Sequence, residues 1–327
     1  MSIHILLECV GDPSSMLIRG GVPRSEIRVD PDAAGLPTSS LHESIRGARA
    51  VISPLTIRID EAFLDAAGPG LGVVANYAVG VDNIDLEACR ARNVVVCNGP
   101  PPMVEPTADI AWFLLLGAAR RTRAGIALAE SGDWTGYAPG LLLGHRLVGG
   151  TILIVGAGRI GTAVARRAVG WEMKVLYTAR SDKPALHEPP IGAARVALEE
   201  GLSRADAVVL TPSLNPSTHH LIDAQALERM KPDAVLVNVS RGPVVDEIAL
   251  ADALRNGRIF GAGLDVFERE PAIPPELRNA PNVLILPHLG SATIEDRSDL
   301  TRLTVDNVLA VLAGRRPPFP VDSAPES

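Results

Sequence analysis

The segment Thr151-Ile-Leu-Ile-Val-Gly156-Ala-Gly158-Arg-Ile-Gly161 is the strongest indication of the fold in this chain. Its first five residues are mostly apolar or β-branched and predict a buried parallel strand, and a helical pattern follows the glycines. Gly156 permits a tight turn, Gly158 lets the backbone approach a pyrophosphate, and Gly161 lets the helix pack closely on the strand. The stretch predicts a dinucleotide site; a glycine-rich turn of another α/β unit is the alternative.

Length and composition are those of a globular α/β protein with two domains. The chain has 327 residues, which is longer than a domain with a single hydrophobic core usually is. Hydrophobic residues make up 46% of it and charged residues 21%. Its net charge of −7, with both signs interspersed, argues against a nucleic-acid partner. Cys9, Cys89 and Cys97 are too few and too scattered for a disulfide framework or a metal cluster.

No segment of the sequence predicts export or membrane insertion. The first residues run directly into a strand-like pattern, so we expect no signal peptide. The longest apolar run, from Ile110 to Ala119, is about half of what a bilayer span requires. We therefore expect a cytoplasmic protein without membrane contact.

Hydrophobic periodicity predicts two successive parallel sheets. Strands of a smaller first sheet are predicted at Ile3–Leu7, Ala50–Ile52, Gly72–Ala75 and Val94–Cys97, with helices at Leu41–Ala48, Glu61–Ala67 and Leu86–Arg92. Six strands of a second sheet are predicted at Thr151–Val155, Lys174–Tyr177, Ala207–Leu210, Ala234–Asn238, Gly261–Asp265 and Val283–Leu286.

The boundary between the domains is predicted at Asn98–Pro102, a stiff proline-rich hinge. One continuous helix is predicted after it, at Thr107–Arg121, and a last helix at Thr293–Gly314 is expected to return to the first domain. We predict a discontinuous substrate domain of residues 1–99 and 291–327 and a dinucleotide-binding domain of residues 100–290. The fold class is α/β, a doubly wound Rossmann domain with a smaller flavodoxin-like domain.

Six motifs follow one another along the chain: Asn76-Tyr-Ala-Val-Gly80-Val-Asp-Asn-Ile-Asp85-Leu, Thr107-Ala-Asp109, Gly156-Ala-Gly-Arg-Ile-Gly161, Asn238-Val-Ser-Arg241-Gly-Pro-Val-Val-Asp246-Glu, Gly263-Leu-Asp265-Val-Phe-Glu-Arg-Glu270-Pro271 and Leu286-Pro287-His288-Leu-Gly290-Ser-Ala-Thr293. In these motifs and in their order, the chain resembles the D-isomer-specific 2-hydroxyacid dehydrogenases over nearly its whole length. Within the family, the first motif and Gly132-Asp-Trp134 look most like glyoxylate/hydroxypyruvate reductases.

Three residues of these motifs suit the reduction of a 2-keto acid. Arg241 is always charged and binds carboxylates bidentately, so we expect it to anchor the substrate. An imidazole can give and accept a proton, so His288 can give the carbonyl oxygen a proton. A carboxylate beside the ring favours its protonated form; we choose Glu270 for this role because it precedes Pro271 as in the family pattern. The alternatives are a surface arginine, a structural histidine, Glu268 as the acid, and solvated loop charges for both glutamates.

The resemblance also implies contacts with the cofactor and the substrate. Expected cofactor contacts are Thr107, Gly156, Ala157, Gly158, Arg159, Ile160, Gly161, Ala179, Arg180, Ser181, Thr211, Pro212, Val239, Ser240, Arg241, Asp265, His288 and Gly290. Expected substrate contacts are Leu55, Val79, Gly80, Arg241 and His288. Structural capping is the alternative for Asp265, and an ordinary turn is the alternative for Leu55 and Gly80. The adjacent His219 and His220 lack further ligands at metal spacing, so we predict no metal.

The end of the second strand of the dinucleotide sheet predicts a preference for NADP(H). An NAD site places an acid there to bind the ribose hydroxyl, but this chain has Ala179, followed by Arg180 and Ser181, which suit a 2′-phosphate. Lys183 is a further cation in reach. The alternative is that Arg180 stacks on adenine while NAD(H) binds.

These observations together predict an NADPH-dependent reductase of glyoxylate or hydroxypyruvate that forms the D-2-hydroxy acid. An NAD-dependent dehydrogenase of D-3-phosphoglycerate or another D-2-hydroxy acid is the alternative within this class. A dinucleotide-sensing, co-repressor-like scaffold is the alternative from another class. The resemblance also implies a homodimer, with residues 132–144 as the arm that crosses to the partner.

Overall fold

The computed structural model describes residues 2–99 and 103–321, which form two compact units. The first comprises Met1–Met103 and Ser291–Ser327, and the second comprises Val104–Gly290. Residues 100–102 of the predicted hinge lie outside the described residues.

The secondary structure alternates strands and helices throughout both units. In chain order the strands are β1 Ser2–Ile5, β2 Ile27–Val29, β3 Ala48–Ser53, β4 Val73–Asn76, β5 Val95–Cys97, β6 Thr151–Val155, β7 Lys174–Thr178, β8 Ala194–Arg195, β9 Ala207–Leu210, β10 Val235–Asn238, β11 Gly261–Leu264 and β12 Val283–Ile285. The helices are α1 Pro13–Arg19, α2 Thr38–Ser44, α3 Glu61–Ala67, α4 Leu86–Ala91, α5 Val104–Ala119, α6 Thr122–Ser131, α7 Arg159–Val169, α8 Pro184–His187, α9 Leu198–Arg204, α10 Ala224–Arg229, α11 Glu247–Arg255, α12 Pro275–Arg278 and α13 Ile294–Leu312.

The first unit contains a five-stranded parallel sheet in the order β2-β1-β3-β4-β5. This is the flavodoxin-like order. The apolar faces of the sheet are covered on one side by α2, α3 and α4 and on the other by α1 and α13. Asp85 caps α4 by accepting a hydrogen bond from the amide of Ala88 at 2.9 Å. The last helix thus belongs to the first unit although it follows the second in sequence.

The second unit contains a seven-stranded parallel sheet in the order β12-β11-β10-β9-β6-β7-β8. Counted from β6, this is the doubly wound order 3-2-1-4-5-6 with one strand added. The strand order reverses between β6 and β9, where open α/β sheets bind their ligands beyond the carboxyl ends of the strands. Two parallel sheets in these orders confirm the predicted fold class.

The sequence pattern does not predict β2 and β8, because both are short edge strands. The first sheet has five strands rather than four, since β2 adds three residues beside β1. The second sheet has seven rather than six, since β8 adds two exposed residues beside β7. Segments this short carry no periodic signal, and pairing with an inner strand forms them.

The predicted helix at Thr107–Arg121 is wrong in its bounds, because α5 begins at Val104 and does not reach Arg121. Helix α5 ends at Ala119, and Arg121, with φ of +54°, separates it from α6. The carbonyl of Ala119 accepts a hydrogen bond from the amide of His145 at 2.9 Å, so a returning segment takes the partner that the next helical turn would need. The predicted helix at Leu41–Ala48 likewise lies at Thr38–Ser44, and α1 was not predicted.

No helix among the described residues is both long enough and apolar enough to cross a membrane.

Candidate functional site

The glycine turn after β6 has the geometry that the sequence predicts. Gly156 has φ of +93°, a conformation that L side chains rarely adopt, and a Cβ there would lie 2.6 Å from the nitrogen of Pro212. A Cβ on Gly161 would lie 2.4 Å from the carbonyl oxygen of Gly156, so the helix approaches the turn closely. The space around Gly158 is open instead. The turn is therefore tight on its protein side and accessible on the other.

Helix α7 starts at this turn without a side-chain cap. Its N-cap residue is Gly158, which has no side chain to accept a hydrogen bond from those amides. Free N–H groups at a helix start bind phosphate oxygens. Ala157 is buried, Ile160 is partly buried and Arg159 is exposed at the entrance. These residues fit the pyrophosphate of a dinucleotide.

Thr211 and Pro212, which follow β9, close the other side of the turn. The Thr211 hydroxyl donates a hydrogen bond of 2.7 Å to the carbonyl of Gly156. The backbone amide of Thr211 donates to the carbonyl of Val155 at 2.9 Å. The loops after β6 and β9 are thus joined where the strand order of the sheet reverses.

The loop after β7 presents a cation instead of an acid. Ala179 and Ser181 are partly buried, and Arg180 between them is exposed. The carboxylate of Asp182, in the same loop, accepts a hydrogen bond of 2.7 Å from the hydroxyl of Tyr177, whose ring is fully buried. This hydrogen bond, the largest cause, lowers the pKa of Asp182.

The loop after β10 holds Arg241 through a hydrogen-bonded asparagine. The Asn238 side chain donates 2.9 Å to the carbonyl of Arg241 and accepts from the amide and hydroxyl of Ser240 at 3.0 and 2.7 Å. Val239 is buried beneath the same loop. A Cβ on Gly242 would lie 1.8 Å from the carbonyl carbon of Phe267, so only glycine permits the contact between this loop and the next.

That next loop places a carboxylate against the imidazole of His288. Oε2 of Glu270 lies 2.8 Å from Nδ1 of His288, and Oε1 accepts a hydrogen bond of 2.9 Å from the amide of Phe267. The two side chains are 28% and 27% exposed for His288 and Glu270, so solvent reaches both. His288 itself has φ of +54°, an unusual conformation for a residue that is not glycine.

The charges around Glu270 keep it ionised. Burial alone would raise its pKa, but hydrogen bonds from His288 and Phe267 and the positive charges of His288 and Arg241 lower the pKa below its ordinary value. Arg241 is thus close enough to act on the His288–Glu270 pair electrostatically. An ionised Glu270 can accept a hydrogen bond from Nδ1 of His288.

Asp265 anchors the segment that carries His288. Its carboxylate accepts hydrogen bonds from the amides of Leu289 and Gly290 at 2.7 and 2.8 Å, and its carbonyl accepts from the amide of His288 at 2.9 Å. Burial raises the pKa of Asp265 to about 6. These hydrogen bonds are the ones expected if Asp265 has the structural capping role. A contact of Asp265 with the cofactor stays a prediction. A Cβ on Gly290 would lie 3.4 Å from Thr107, so Thr107 lies beside the segment that carries His288.

Glu268, the alternative acid, faces a different histidine. Its Oε1 lies 2.8 Å from Nε2 of His220, and its amide donates 2.8 Å to the buried carboxylate of Glu247. The structure therefore brings Glu270, not Glu268, to His288. The sequence does not predict the pairing of Glu268 with His220, because the two residues are 48 positions apart in the chain. Among the described residues, no group of three or more histidine, cysteine or acidic side chains is arranged to hold a metal ion.

The predicted substrate contacts of the first unit follow two neighbouring strands. Leu55 follows β3, and Val79 and Gly80 follow β4, so all three lie near the carboxyl edge of the five-stranded sheet. The Asn98 side chain donates 2.7 Å to the carbonyl of Val79, and that of Asn76 donates 2.8 Å to the carbonyl of Gly80. Two asparagines thus fix this loop, and Leu55, Val79 and Gly80 are partly exposed.

Comparison with known proteins identifies the family. Residues 112–290 match the family model of the NAD-binding domain of D-isomer-specific 2-hydroxyacid dehydrogenases. The glyoxylate reductase of Thermococcus onnurineus is 44% identical over 297 residues, which cover 90% of this chain and 88% of that protein. The chain belongs to the D-isomer-specific 2-hydroxyacid dehydrogenases.

Solved structures agree with this dehydrogenase along its length. The TT0316 protein of Thermus thermophilus has a TM-score of 0.90 and 42% identity, with 98% of this chain and 100% of that one covered. An NADPH-dependent glyoxylate/hydroxypyruvate reductase of Sinorhizobium meliloti, solved with NADP and malonate, has a TM-score of 0.84 and 32% identity, with 98% and 96% covered. The dehydrogenase is accordingly an NAD(P)-dependent oxidoreductase, and its family acts on small 2-hydroxy or 2-keto acids.

Proposed function

We propose that this dehydrogenase reduces glyoxylate or hydroxypyruvate to the D-2-hydroxy acid with NADPH. The observation that carries the proposal is the Glu270–His288 pair, with Arg241 close by, on the sheet edge that also bears the glycine turn. The names of the Thermococcus and Sinorhizobium relatives support the choice of substrate.

His288 is the proposed proton donor. Its Nδ1 faces Glu270 at 2.8 Å, which leaves Nε2 as the ring nitrogen for the substrate carbonyl oxygen. When bound, the reduced nicotinamide supplies the hydride. The carbonyl carbon gains that hydride and its oxygen gains the proton from Nε2, so that the keto acid becomes the hydroxy acid and the ring is left neutral. Glu270 holds the ring in the required orientation throughout.

Arg241 is the proposed anchor for the substrate carboxylate. Its planar guanidinium forms two parallel hydrogen bonds with a carboxylate, which fixes the direction of the carbonyl group as well as the position of the molecule. One nitrogen, Nη1, donates 2.8 Å to the carbonyl of Ser240 and so holds the side chain against its own loop. Leu55, Val79 and Gly80 stay predicted substrate contacts.

The loop after β7 supports NADPH as the preferred cofactor. Ala179 replaces the acid that would repel a 2′-phosphate, and Arg180 and Ser181 offer a charge and a hydroxyl to bind one. Asp182 is already engaged with Tyr177 and with His187, the latter at 3.1 Å. The other cofactor contacts expected from the sequence are part of the same proposal.

The experiment that tests the proposal follows absorbance of the reduced nicotinamide with purified enzyme. NADPH and NADH are each combined with glyoxylate, hydroxypyruvate, pyruvate and 3-phosphohydroxypyruvate. We expect the highest kcat/KM with NADPH and glyoxylate or hydroxypyruvate, and at least about tenfold less with NADH, because a charge-assisted hydrogen bond contributes about 1.5–3 kcal/mol. Preference for NADH contradicts the cofactor assignment, and turnover with 3-phosphohydroxypyruvate alone contradicts the substrate.

We further propose that the arm of residues 132–144 binds a second copy of the chain. Large apolar side chains are exposed along it: Trp134 at 58%, Tyr137 at 89%, Leu141 at 42% and Leu143 at 67%. Such a concentration within one short segment marks an interaction surface. Light scattering during size-exclusion chromatography should give twice the chain mass. Leu143→Glu should give the monomer, whereas Val29→Glu, at a 48%-exposed residue of the first unit, should not. A monomeric wild type contradicts the proposal.

A further inference from the structure

The edge strand β8 carries a second arginine toward the cofactor-discriminating loop. Arg195 pairs with Tyr177 in the sheet, and its side chain reaches past the end of β7. Nη2 of Arg195 donates hydrogen bonds to two successive carbonyls, that of Ala179 at 2.8 Å and that of Arg180 at 3.0 Å. Those carbonyls belong to the two peptide groups that enclose Arg180.

These two hydrogen bonds determine which way the neighbouring amides point. In a trans peptide the N–H is directed opposite to the C=O, so the amides of Arg180 and Ser181 point away from Arg195. Within residues 2–99 and 103–321 neither amide has a hydrogen-bond partner. Successive backbone N–H groups that point the same way form a concavity that binds anions.

The side chains of the loop add to the same anion site. Arg180 is exposed beside these amides, and Ser181 contributes a hydroxyl. The amide of Lys183 donates 3.0 Å to the hydroxyl of Tyr177, which also engages Asp182, so the rest of the loop is tied to a buried ring. A dianionic phosphate at Arg180 would thus meet two aligned amides, the hydroxyl of Ser181 and the guanidinium of Arg180.

We propose that Arg195 is a positioning residue for cofactor selectivity: it aligns the amides of Arg180 and Ser181 for the adenosine 2′-phosphate. The inference deepens the proposed function and rests on its preference for NADPH. Arg195 acts through the backbone of the loop, whereas Arg180 contacts the phosphate directly. Neither residue lies in the part of the sheet that carries Arg241, Glu270 and His288, so kcat at saturating cofactor is not expected to change.

The test measures KM and kcat for NADPH and NADH in five proteins: wild type, Arg180→Ala, Arg195→Ala, Arg195→Gln and Arg123→Ala. Arg123 is the matched control, because its Nη1 also donates to two carbonyls, those of Arg278 at 2.9 Å and Val283 at 3.2 Å, beside the opposite edge strand of the same sheet.

Arg195→Ala should raise KM for NADPH by about five- to tenfold, as expected for the loss of charged hydrogen bonds at an exposed site, and leave that for NADH within about twofold. Arg195→Gln retains a donor for the carbonyls and should recover part of the NADPH affinity. Arg123→Ala should leave the ratio of the two KM values unchanged. Thermal unfolding of each variant shows whether the fold is retained.

The outcomes separate this inference from the proposed function. If wild type prefers NADPH and Arg180→Ala abolishes that preference, an unchanged ratio in both Arg195 variants overturns the role of Arg195 alone. Equal losses for NADPH and NADH in Arg195→Ala overturn it as well, since they indicate a purely structural residue. If wild type shows no preference and Arg180→Ala changes neither KM, the cofactor assignment itself fails, and the inference fails with it.

Discussion

Replacement of His288 by alanine is expected to lower kcat by about 10²- to 10⁴-fold, the usual contribution of a positioned general acid. The variant loses the nitrogen that faces the substrate and leaves Glu270 without its partner at 2.8 Å. Binding of NADPH, followed by nicotinamide fluorescence, should be retained, because the glycine turn after β6 and the loop after β7 are untouched. Steady-state rates with glyoxylate and hydroxypyruvate give the measurement.

His220→Ala is the matched control for this prediction. His220 also faces a glutamate at 2.8 Å in the same unit, but its partner is Glu268 rather than Glu270. We expect the control to change kcat by less than about threefold, in line with a structural histidine away from the reacting atoms. Turnover by His288→Ala at the rate of wild type contradicts its assignment as proton donor. If kcat falls equally in His288→Ala and His220→Ala, the loss reflects disturbance of the loop that carries Glu268 and Glu270, not the loss of a proton donor.

Replacement of Arg241 by lysine should reduce kcat/KM for the keto acid by about 10- to 150-fold, the equivalent of a charged hydrogen bond of about 1.5–3 kcal/mol. Lysine keeps the positive charge near Glu270 but lacks the planar fork that binds a carboxylate through two parallel bonds. The loss should therefore fall mainly on KM for the keto acid. KM for NADPH should change little.

Arg269→Lys provides the comparison for this second prediction. Arg269 precedes Glu270 and is exposed, so its substitution preserves the local charge without touching the proposed carboxylate anchor. We expect kinetics close to those of wild type. A wild-type KM for the keto acid in Arg241→Lys shows that charge alone suffices there and contradicts bidentate anchoring. If Arg241→Lys raises KM for NADPH more than KM for the keto acid, that result contradicts substrate anchoring as the main role of Arg241.

The regular parts of both sheets follow from the sequence because buried parallel strands are short apolar runs bounded by turn residues. Strand β6 lies at Thr151–Val155 as predicted, and Gly156 has the positive φ that a tight turn requires. The edge strands β2 and β8 could not be predicted in this way, because a neighbouring strand, not their own pattern, stabilises them. The end of α5 depends equally on a contact from residue 145.

The choice between Glu268 and Glu270 as the partner of His288 also depends on the tertiary structure. The chain pattern pointed to Glu270, but Glu268 stands two residues away and has the same side chain. The tertiary structure separates them, since Glu270 reaches His288 and Glu268 reaches His220. The close approach of Gly242 to Phe267 brings the loops after β10 and β11 together. No local pattern encodes a contact between segments 25 residues apart.

The fold class, the glycine turn and the residue types available for chemistry follow from the amino-acid pattern, because they depend on hydrophobic periodicity, on backbone conformation and on side-chain chemistry. Which side chains meet depends on the tertiary structure. It places the carboxylate of Glu270 beside Nδ1 of His288. It also directs the carboxylate of Asp265 to the amides of Leu289 and Gly290. The guanidinium of Arg195 donates to the carbonyls of Ala179 and Arg180 for the same reason. Each of these contacts joins residues far apart in the chain, and it is the packing of strands and loops that sets their distances.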